Sequence, residues 1–133
     1  MLTAIADTHV VIWYLMGDKR LSGTARVTID EAAEEGHQIG FSTISIAEIL
    51  YLSELGRIDP QAWRRITTLL GTPSVLAAVV FDGLVATTMA FVSRASIPEL
   101  PDRMIAATAL RHGIPLITRD VKITSAGIVT TIW

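Results

Sequence analysis

The stretch LTAIADTHVVIWYLMG, residues 2–17, places a short apolar segment, one acidic residue and a longer apolar segment in direct succession. Residues 2–6 have the length and composition of a buried β-strand, and the pattern over residues 8–16 predicts a helix that stops near Gly17. Asp7 lies where the strand ends and the helix begins. A carboxylate at that point is either a helix N-cap or part of a functional site.

The same alternation of strand and helix continues along the chain. Further strands are predicted over residues 38–43, 75–81, 114–118 and 127–133. The helices predicted between them cover residues 22–35, 45–55, 59–70, 83–95 and 102–112. Strands that alternate with helices form βαβ units, so we expect an α/β fold whose parallel sheet carries helices on both faces. Without a repeat, linker or low-complexity segment, the sequence predicts one domain over residues 1–133.

Composition narrows the class of protein further. Of 133 residues, 50% are hydrophobic and none is cysteine, which excludes disulfides and thiolate metal sites and fits a reducing cytosol. No apolar run approaches the roughly 20 residues of a membrane span, and no signal peptide is evident, so we expect a cytoplasmic protein. The net charge is −2, so the chain does not have the strongly basic composition of many nucleic-acid-binding proteins. Nine of its eleven cationic residues are nevertheless arginine, whose planar side chain binds phosphate or carboxylate groups.

Four acidic residues stand where a hydrophobic core would not favour them. They are Asp7 after the first strand, Glu48 within an apolar helix, Asp102 at a helix start and Asp120 after the fourth strand. Each has a structural alternative: Asp7 and Asp102 as N-caps, Asp120 as a loop residue, and Glu48 as the partner of a nearby arginine. Strand ends and helix starts converge on one edge of a parallel sheet, so the set is more informative than any member.

Carboxylates that gather at one edge repel one another unless a cation offsets their charge. Mg²⁺ and Mn²⁺ prefer oxygen ligands, activate water and stabilise charge on phosphoryl oxygens. The three histidines, His9, His37 and His112, show no zinc-ligand spacing. The pattern therefore favours Mg²⁺ or Mn²⁺ over Zn²⁺.

Four segments together resemble the PIN-domain ribonucleases, especially the VapC-type toxins of bacterial toxin–antitoxin pairs. The segments, in order, are ADTHVVIW (6–13), SIAEIL (45–50), LPDRMIAATAL (100–110) and PLITRD (115–120). The resemblance covers nearly the whole chain. It implies a three-layer α/β/α sandwich with a central, mostly parallel five-stranded sheet.

The resemblance also implies a function and a site. Asp7, Glu48, Asp102 and Asp120 would hold Mg²⁺ or Mn²⁺, and Thr118, with Thr8 as a weaker candidate, would orient ligands or water. The toxins of this family cleave RNA, are usually dimeric and are silenced by a small antitoxin protein. Arg103 and Arg119 adjoin two of the acidic residues, where they either contact RNA or pair with those carboxylates.

Three other functions are weighed against an RNA-cleaving toxin. A haloacid-dehalogenase-type phosphatase requires a second aspartate two residues after the first, where this chain has His9. A response-regulator receiver requires an acidic pair near the first strand, which is absent, although Asp82 resembles its phosphorylated aspartate. A PIN-like binding module without activity would be expected to lose acidic residues, and none is lost. RNA cleavage with and without Mn²⁺ separates these functions.

Overall fold

The computed structural model describes residues 1–133, which form five strands and seven α-helices. The strands are β1 (Leu2–Ala6), β2 (Gln38–Ser42), β3 (Leu76–Val79), β4 (Leu116–Ile117) and β5 (Thr131–Ile132). The helices are α1 (Thr8–Met16), α2 (Gly23–Glu34), α3 (Thr43–Glu54), α4 (Gln61–Leu69), α5 (Gly83–Thr88), α6 (Leu100–His112) and α7 (Val121–Ala126), with a 3₁₀ turn, Met89–Phe91, after α5.

The five strands form one sheet in the order β3-β2-β1-β4-β5, and every neighbouring pair is parallel. The predicted parallel sheet is confirmed. The chain builds outward from β1 to β3 and then returns to the other side of β1 for β4. The strand order therefore reverses between β1 and β4, and the crevice beyond their carboxyl ends is where ligands bind in open α/β sheets.

Helices cover both faces of the sheet, as a three-layer sandwich requires. Alternate residues of β1 point to opposite faces: Ala4 and Ala6 belong to one hydrophobic cluster and Ile5 to the other. The first cluster takes side chains from α1, α2, α3 and α4, and the second takes them from α5, α6 and α7. No helix combines the length and apolar composition needed to cross a membrane.

One glycine in the sheet has a clear steric reason. A Cβ atom on Gly40, within β2, would lie 2.8 Å from a methyl group of Val79 and 2.9 Å from a methyl group of Ile5. Those contacts are shorter than side chains tolerate, so β2 accepts only glycine at this position without movement of its neighbours.

The prediction for residues 83–95 is wrong in its length. The helix ends in the 3₁₀ turn, and Val92 is extended, with φ −107° and ψ 102°. This conformation buries Val92 to 1% exposure in the second hydrophobic cluster, which a continued helix would not do. The strand predicted over residues 75–81 is also shorter in the structure. It spans Leu76–Val79 at the edge of the sheet, where Ala78 is exposed.

The sequence pattern also missed α7. Asp120 is not a loop residue but the N-cap of this helix, since its Oδ1 accepts hydrogen bonds from the backbone N–H groups of Lys122, at 2.8 Å, and Ile123, at 3.3 Å. Ile123 is fully buried and anchors the helix on the second cluster. The last strand is correspondingly short.

Candidate active site

A cavity of about 380 Å³ opens at the carboxyl ends of β1 and β4. The four acidic residues predicted from the sequence all line it. The remaining lining residues are Thr8, His9, Val10, Trp13, Glu99, Pro101 and Arg119. The structure therefore brings together residues that are up to 113 positions apart in the sequence, from Asp7 to Asp120.

Asp7 is held at the end of β1 by three hydrogen bonds. Its backbone N–H donates to the carbonyl oxygen of Ile117 at 3.0 Å, which extends the pairing with β4. Its Oδ1 accepts from the backbone N–H of Thr8 at 2.8 Å, and its Oδ2 accepts from the Thr118 hydroxyl at 2.7 Å. Asp7 is thus the N-cap of α1 and also a lining residue of the cavity, so the two interpretations of this residue are compatible.

Thr118 links the carboxylate of Asp7 to the backbone of Asp120. It is fully buried, and its hydroxyl donates to Asp7 while accepting from the backbone N–H of Asp120 at 3.0 Å. One hydroxyl therefore sets the orientation of the Asp7 carboxylate and the path of the chain into Asp120.

Glu48 reaches the cavity from α3 and is held by a chain of hydroxyls. The Thr8 hydroxyl donates to Glu48 Oε1 at 2.6 Å and lies 2.8 Å from the Ser45 hydroxyl. Because an ionised carboxylate only accepts and a threonine hydroxyl has one proton, Ser45 donates to Thr8 and Thr8 donates to Glu48. Glu48 has no arginine partner, so the ion-pair alternative for this residue is wrong.

Asp102 has no such support. It lies in the first turn of α6, whose N-cap is Glu99, and its side chain takes part in no hydrogen bond or ion pair of the chain. The N-cap alternative for Asp102 is therefore wrong. Burial raises the pKa of its carboxyl to about 7, and the nearby charges of Asp7, Asp120, Glu48 and Glu99 contribute in that order.

The other two carboxyls that reach inward are shifted in the same direction. Burial raises the pKa of Asp7, although hydrogen bonds from Thr118 and Thr8 oppose that shift. Burial likewise raises the pKa of Glu48, opposed by the Thr8 hydroxyl and reinforced by the charge of Asp7. The ion pair of Arg20 with Asp18 and the contact of His37 with Glu35 involve none of the four residues. The fold thus concentrates negative charge in the cavity, and none of the four carboxylates has an ion-pair partner.

The donor set fits a hard divalent cation in its chemistry. The candidate ligands are carboxylate oxygens, with a buried threonine hydroxyl behind Asp7, and neither cysteine nor a histidine pair competes for a softer metal. No group of three or more acidic or histidine side chains is arranged so that it could hold one ion among them. Mg²⁺ does not require such a cage, since it keeps several waters and is bound through one or two carboxylates.

The two arginines beside the acidic residues differ in their contacts, and neither pairs with a carboxylate. Arg103 donates from Nε to the carbonyl oxygen of Val92 and from Nη2 to that of Met89, both at 3.1 Å. It therefore satisfies the end of the 3₁₀ turn and ties it to α6. Arg119 lines the cavity, with its Cζ 4.6 Å from the ring centroid of Trp13.

Sequence reasoning missed two residues of this site and understated a third. Ser45 lies three positions before Glu48 on one helical face, and that spacing of a small hydroxyl residue and a glutamate in an apolar helix was an available signal. Glu99 lines the cavity from the N-cap of α6. Trp13, in the apolar helix α1, is only 3% exposed, and nothing in its sequence context shows that it also lines the cavity beneath Arg119.

Comparison with known proteins gives consistent results. The PIN domain family model matches residues 4–128. "Ribonuclease VapC22" of Mycobacterium tuberculosis is 33% identical over an alignment of 135 positions. The alignment covers 94% of this chain and 92% of that protein.

Solved structures share the fold at lower identity. The crystal structure of VapBC2 from Rickettsia felis, bound to a DNA fragment from its promoter, matches with a TM-score of 0.71 and 15% identity over 98% of this chain and 97% of that chain. The FitAcB structure from Neisseria gonorrhoeae matches with a TM-score of 0.66 and 24% identity over 97% of this chain and 96% of that chain.

Proposed function

The chain belongs to the PIN domain family, and from that premise we propose that it is a metal-dependent endoribonuclease, the toxin of a toxin–antitoxin pair. The observation that carries the proposal is the cavity at the reversal between β1 and β4. Four carboxylates line it, and no cation of the chain pairs with any of them. The relative named as a ribonuclease supports the reaction class.

In the proposed site, the carboxylates of Asp7, Glu48, Asp102 and Asp120 would hold Mg²⁺ or Mn²⁺, one or two of them directly and the others through waters that the cation keeps. When bound, such a cation supplies Lewis acidity for water and for the phosphoryl oxygens. The chain's own residues do the positioning. Thr118 fixes Asp7 and Asp120, and the relay from Ser45 through Thr8 fixes Glu48.

The arrangement of the carboxylates gives Thr118 and Thr8 a specific role. A carboxylate that is oriented before it binds a cation loses less conformational freedom when it does so. Asp102 lacks a hydrogen-bond partner, and burial raises its pKa to about 7, so a bound cation would stabilise its ionised form.

The test is cleavage of RNA by purified protein. We expect the protein to cut single-stranded or structured RNA when Mg²⁺ or Mn²⁺ is present, and EDTA to stop the reaction. Cleavage that EDTA does not diminish would contradict the metal requirement. No cleavage of any RNA in Mn²⁺, together with Mn²⁺-dependent hydrolysis of a phosphate monoester, would instead favour a phosphatase.

Two protein partners belong to the proposal, a second copy of the chain and a small antitoxin. Among the solved structures with this fold is one named as a toxin–antitoxin complex, from Klebsiella pneumoniae, which supports an antitoxin partner. An interface with a partner requires exposed apolar surface. The structure exposes such surface on α3, at Tyr51 (61%) and near its end at Leu55 (47%), whereas the middle of α6, from Ile105 to Ala109, is buried in the protein's own core.

Further exposed apolar side chains lie on α5, on the 3₁₀ turn and at the start of α6. Leu84 is 58% exposed, Phe91 is 77% exposed and Leu100 is 60% exposed. Exposed apolar side chains in such numbers indicate interaction surfaces. We expect a homodimer at micromolar concentration, measured by light scattering without the antitoxin, and a monomeric mass would contradict it.

A further inference from the structure

Arg20 and Arg119 both lie over the ring of Trp13, and Arg103 follows Asp102 in the sequence. The side chains of Arg20 and Arg103 are held by other groups of the protein. Arg20 donates from Nε and Nη2 to the two carboxylate oxygens of Asp18, at 3.1 and 2.7 Å. Arg103 donates to the backbone carbonyl oxygens of Val92 and Met89. Arg119 has neither an ion pair nor a side-chain hydrogen bond within the protein, and it is exposed. Among the residues that line the cavity, it is the one arginine, and lysine is absent.

Arg119 is nevertheless not a loose surface side chain. Its guanidinium lies over the ring of Trp13, and Trp13 is itself fixed in the first hydrophobic cluster. The backbone around it is also fixed, because Thr118 N–H donates to the carbonyl oxygen of Ile132 at 3.1 Å and Asp120 N–H donates to the Thr118 hydroxyl. An arginine stacked on an aromatic ring contacts it through its flat face. In such a stack the N–H donors lie in the guanidinium plane, away from the ring, and no other group of the protein accepts a hydrogen bond or forms an ion pair with Arg119.

A planar fork with free donors is the group that binds a phosphate through two parallel hydrogen bonds. We propose that Arg119, seated on Trp13, binds a backbone phosphate of single-stranded RNA next to the phosphate that is cleaved. This inference rests on the proposed ribonuclease function. It also answers an electrostatic difficulty: a chain of net charge −2, with five acidic residues lining the cavity, must attract a polyanion. One pre-oriented cation at the rim provides a local contact that the overall charge does not.

The experiment measures binding separately from cleavage. A fluorescein-labelled pool of random-sequence oligoribonucleotides, about 12 nucleotides long, is titrated with protein in the Asp7→Asn background, so that the RNA is not consumed. Fluorescence anisotropy gives Kd at several salt concentrations with Mg²⁺ present. Arg119→Gln, Arg119→Lys and Arg111→Gln are compared in that background. Arg111 is the matched control: it is exposed in the last turn of α6, roughly 13 Å along the helix from Asp102.

We expect Arg119→Gln to raise Kd about 10-fold, as loss of a charged hydrogen-bond pair does. It should also make the slope of log Kd against log salt shallower by about 0.7, the value for one phosphate contact on a single strand. Arg119→Lys keeps the charge but loses the fork and the stacking, so we expect an unchanged slope and about a threefold weaker Kd. Arg111→Gln should leave both quantities unchanged, because the salt screens charges beyond about 10 Å.

The inference is overturned if Arg119→Gln matches Arg111→Gln in Kd and salt slope, or if the Asp7→Asn protein does not bind the RNA pool. A raised Kd with an unchanged slope would also overturn it, since that result indicates contact with a base and not with a phosphate. Cleavage by the otherwise wild-type protein in Mn²⁺ is assayed in parallel. If the wild type does not cut RNA while Arg119 still controls the slope, the ribonuclease function fails and the phosphate contact stands.

Discussion

The two sides of the acidic cavity hold their carboxylates in different ways. On the side formed by β1, α3 and β4, Asp7 and Glu48 each accept a hydrogen bond from a buried threonine hydroxyl. On the side formed by α6, Asp102 has no partner, and burial raises its pKa to about 7. We call these the supported side and the unsupported side. Burial raises the pKa of all three carboxyls, but hydrogen bonds oppose that shift only for Asp7 and Glu48. The fold therefore orients one part of the site in advance and leaves Asp102 without a partner until a cation binds.

The largest expected effect is on cleavage and treats the two sides alike. Asp7→Asn and Asp102→Asn should each lower the initial rate of RNA cleavage in Mn²⁺ by roughly 100-fold or more. Residues that only orient the ligands typically contribute roughly 10- to 100-fold, so a ligand itself should contribute at least the upper end of that range. If both residues hold the cation, the supported and unsupported sides are equally necessary. A variant that cuts RNA at the wild-type rate would remove its residue from the proposed site.

The control for both substitutions is Asp82→Asn. Asp82 also follows a strand and caps a helix, since its Oδ1 accepts from the backbone N–H of Val85 at 3.0 Å, but it does not line the cavity. Asparagine caps helices as well as aspartate does. The rate of this variant should equal that of the wild type, and a comparable loss would show that the assay reports folding and not the site.

A smaller effect belongs to the supported side alone. Ser45→Ala removes the hydroxyl that donates to Thr8, and Thr8→Val removes the donor to Glu48. Residues that orient ligands from behind typically contribute 10- to 100-fold to metal affinity or activity. We expect about 10-fold for Ser45→Ala and more for Thr8→Val, measured as the Mn²⁺ concentration that gives half-maximal cleavage.

The conservative variant distinguishes orientation from packing. Thr8→Ser retains the hydroxyl and should restore a Mn²⁺ dependence close to that of the wild type. If Thr8→Ser is as defective as Thr8→Val, the methyl group and not the hydroxyl is responsible. The relay to Glu48 would then have no role in holding the cation.

The two sides of the cavity also show which features of the site could be predicted from the sequence. Asp7, Glu48, Asp102 and Asp120 were predicted because a carboxylate at a strand end or in an apolar helix violates the hydrophobic pattern, and all four line one cavity. The hydroxyl groups that orient these carboxylates were harder to predict. A small serine such as Ser45 fits an apolar helix without disturbing its hydrophobic pattern. Whether an arginine side chain is already used in hydrogen bonds within the protein depends on tertiary contacts, which the sequence does not show. Arg103 donates to backbone carbonyl oxygens that are eleven and fourteen residues away in the sequence.

The errors in the fold have a similar cause. Residues 121–126 contain β-branched Val121, Ile123 and Thr124, which favour strands, and the helix α7 forms because Asp120 caps it and Ile123 is buried. The helix over residues 83–95 is shortened because burial of Val92 outweighs helical continuity. In both segments the packing of one side chain overrides the local preference of its neighbours.

The smallest expected effect sharpens the comparison through stability without metal. A carboxyl whose pKa is raised on folding binds its proton more tightly in the folded state, so its contribution to stability is full below pH 3.8 and is lost as the pH rises through about 7. We therefore expect the free energy of unfolding in EDTA to fall between pH 5 and pH 8. Because Asp102 is only half-buried and water screens its charge, the fall should be about 1 kcal/mol.

Asp102→Asn loses no hydrogen bond, so it should reduce this fall and raise the free energy of unfolding at pH 8, as measured by urea unfolding at both pH values. Asp7→Asn should leave metal-free stability unchanged or raise it by about 1 kcal/mol. Asp82→Asn, at an exposed cap, should follow the wild type at both pH values. If Asp102→Asn also follows the wild type, then Asp102 carries no electrostatic cost, and the two sides of the cavity do not differ in the way proposed.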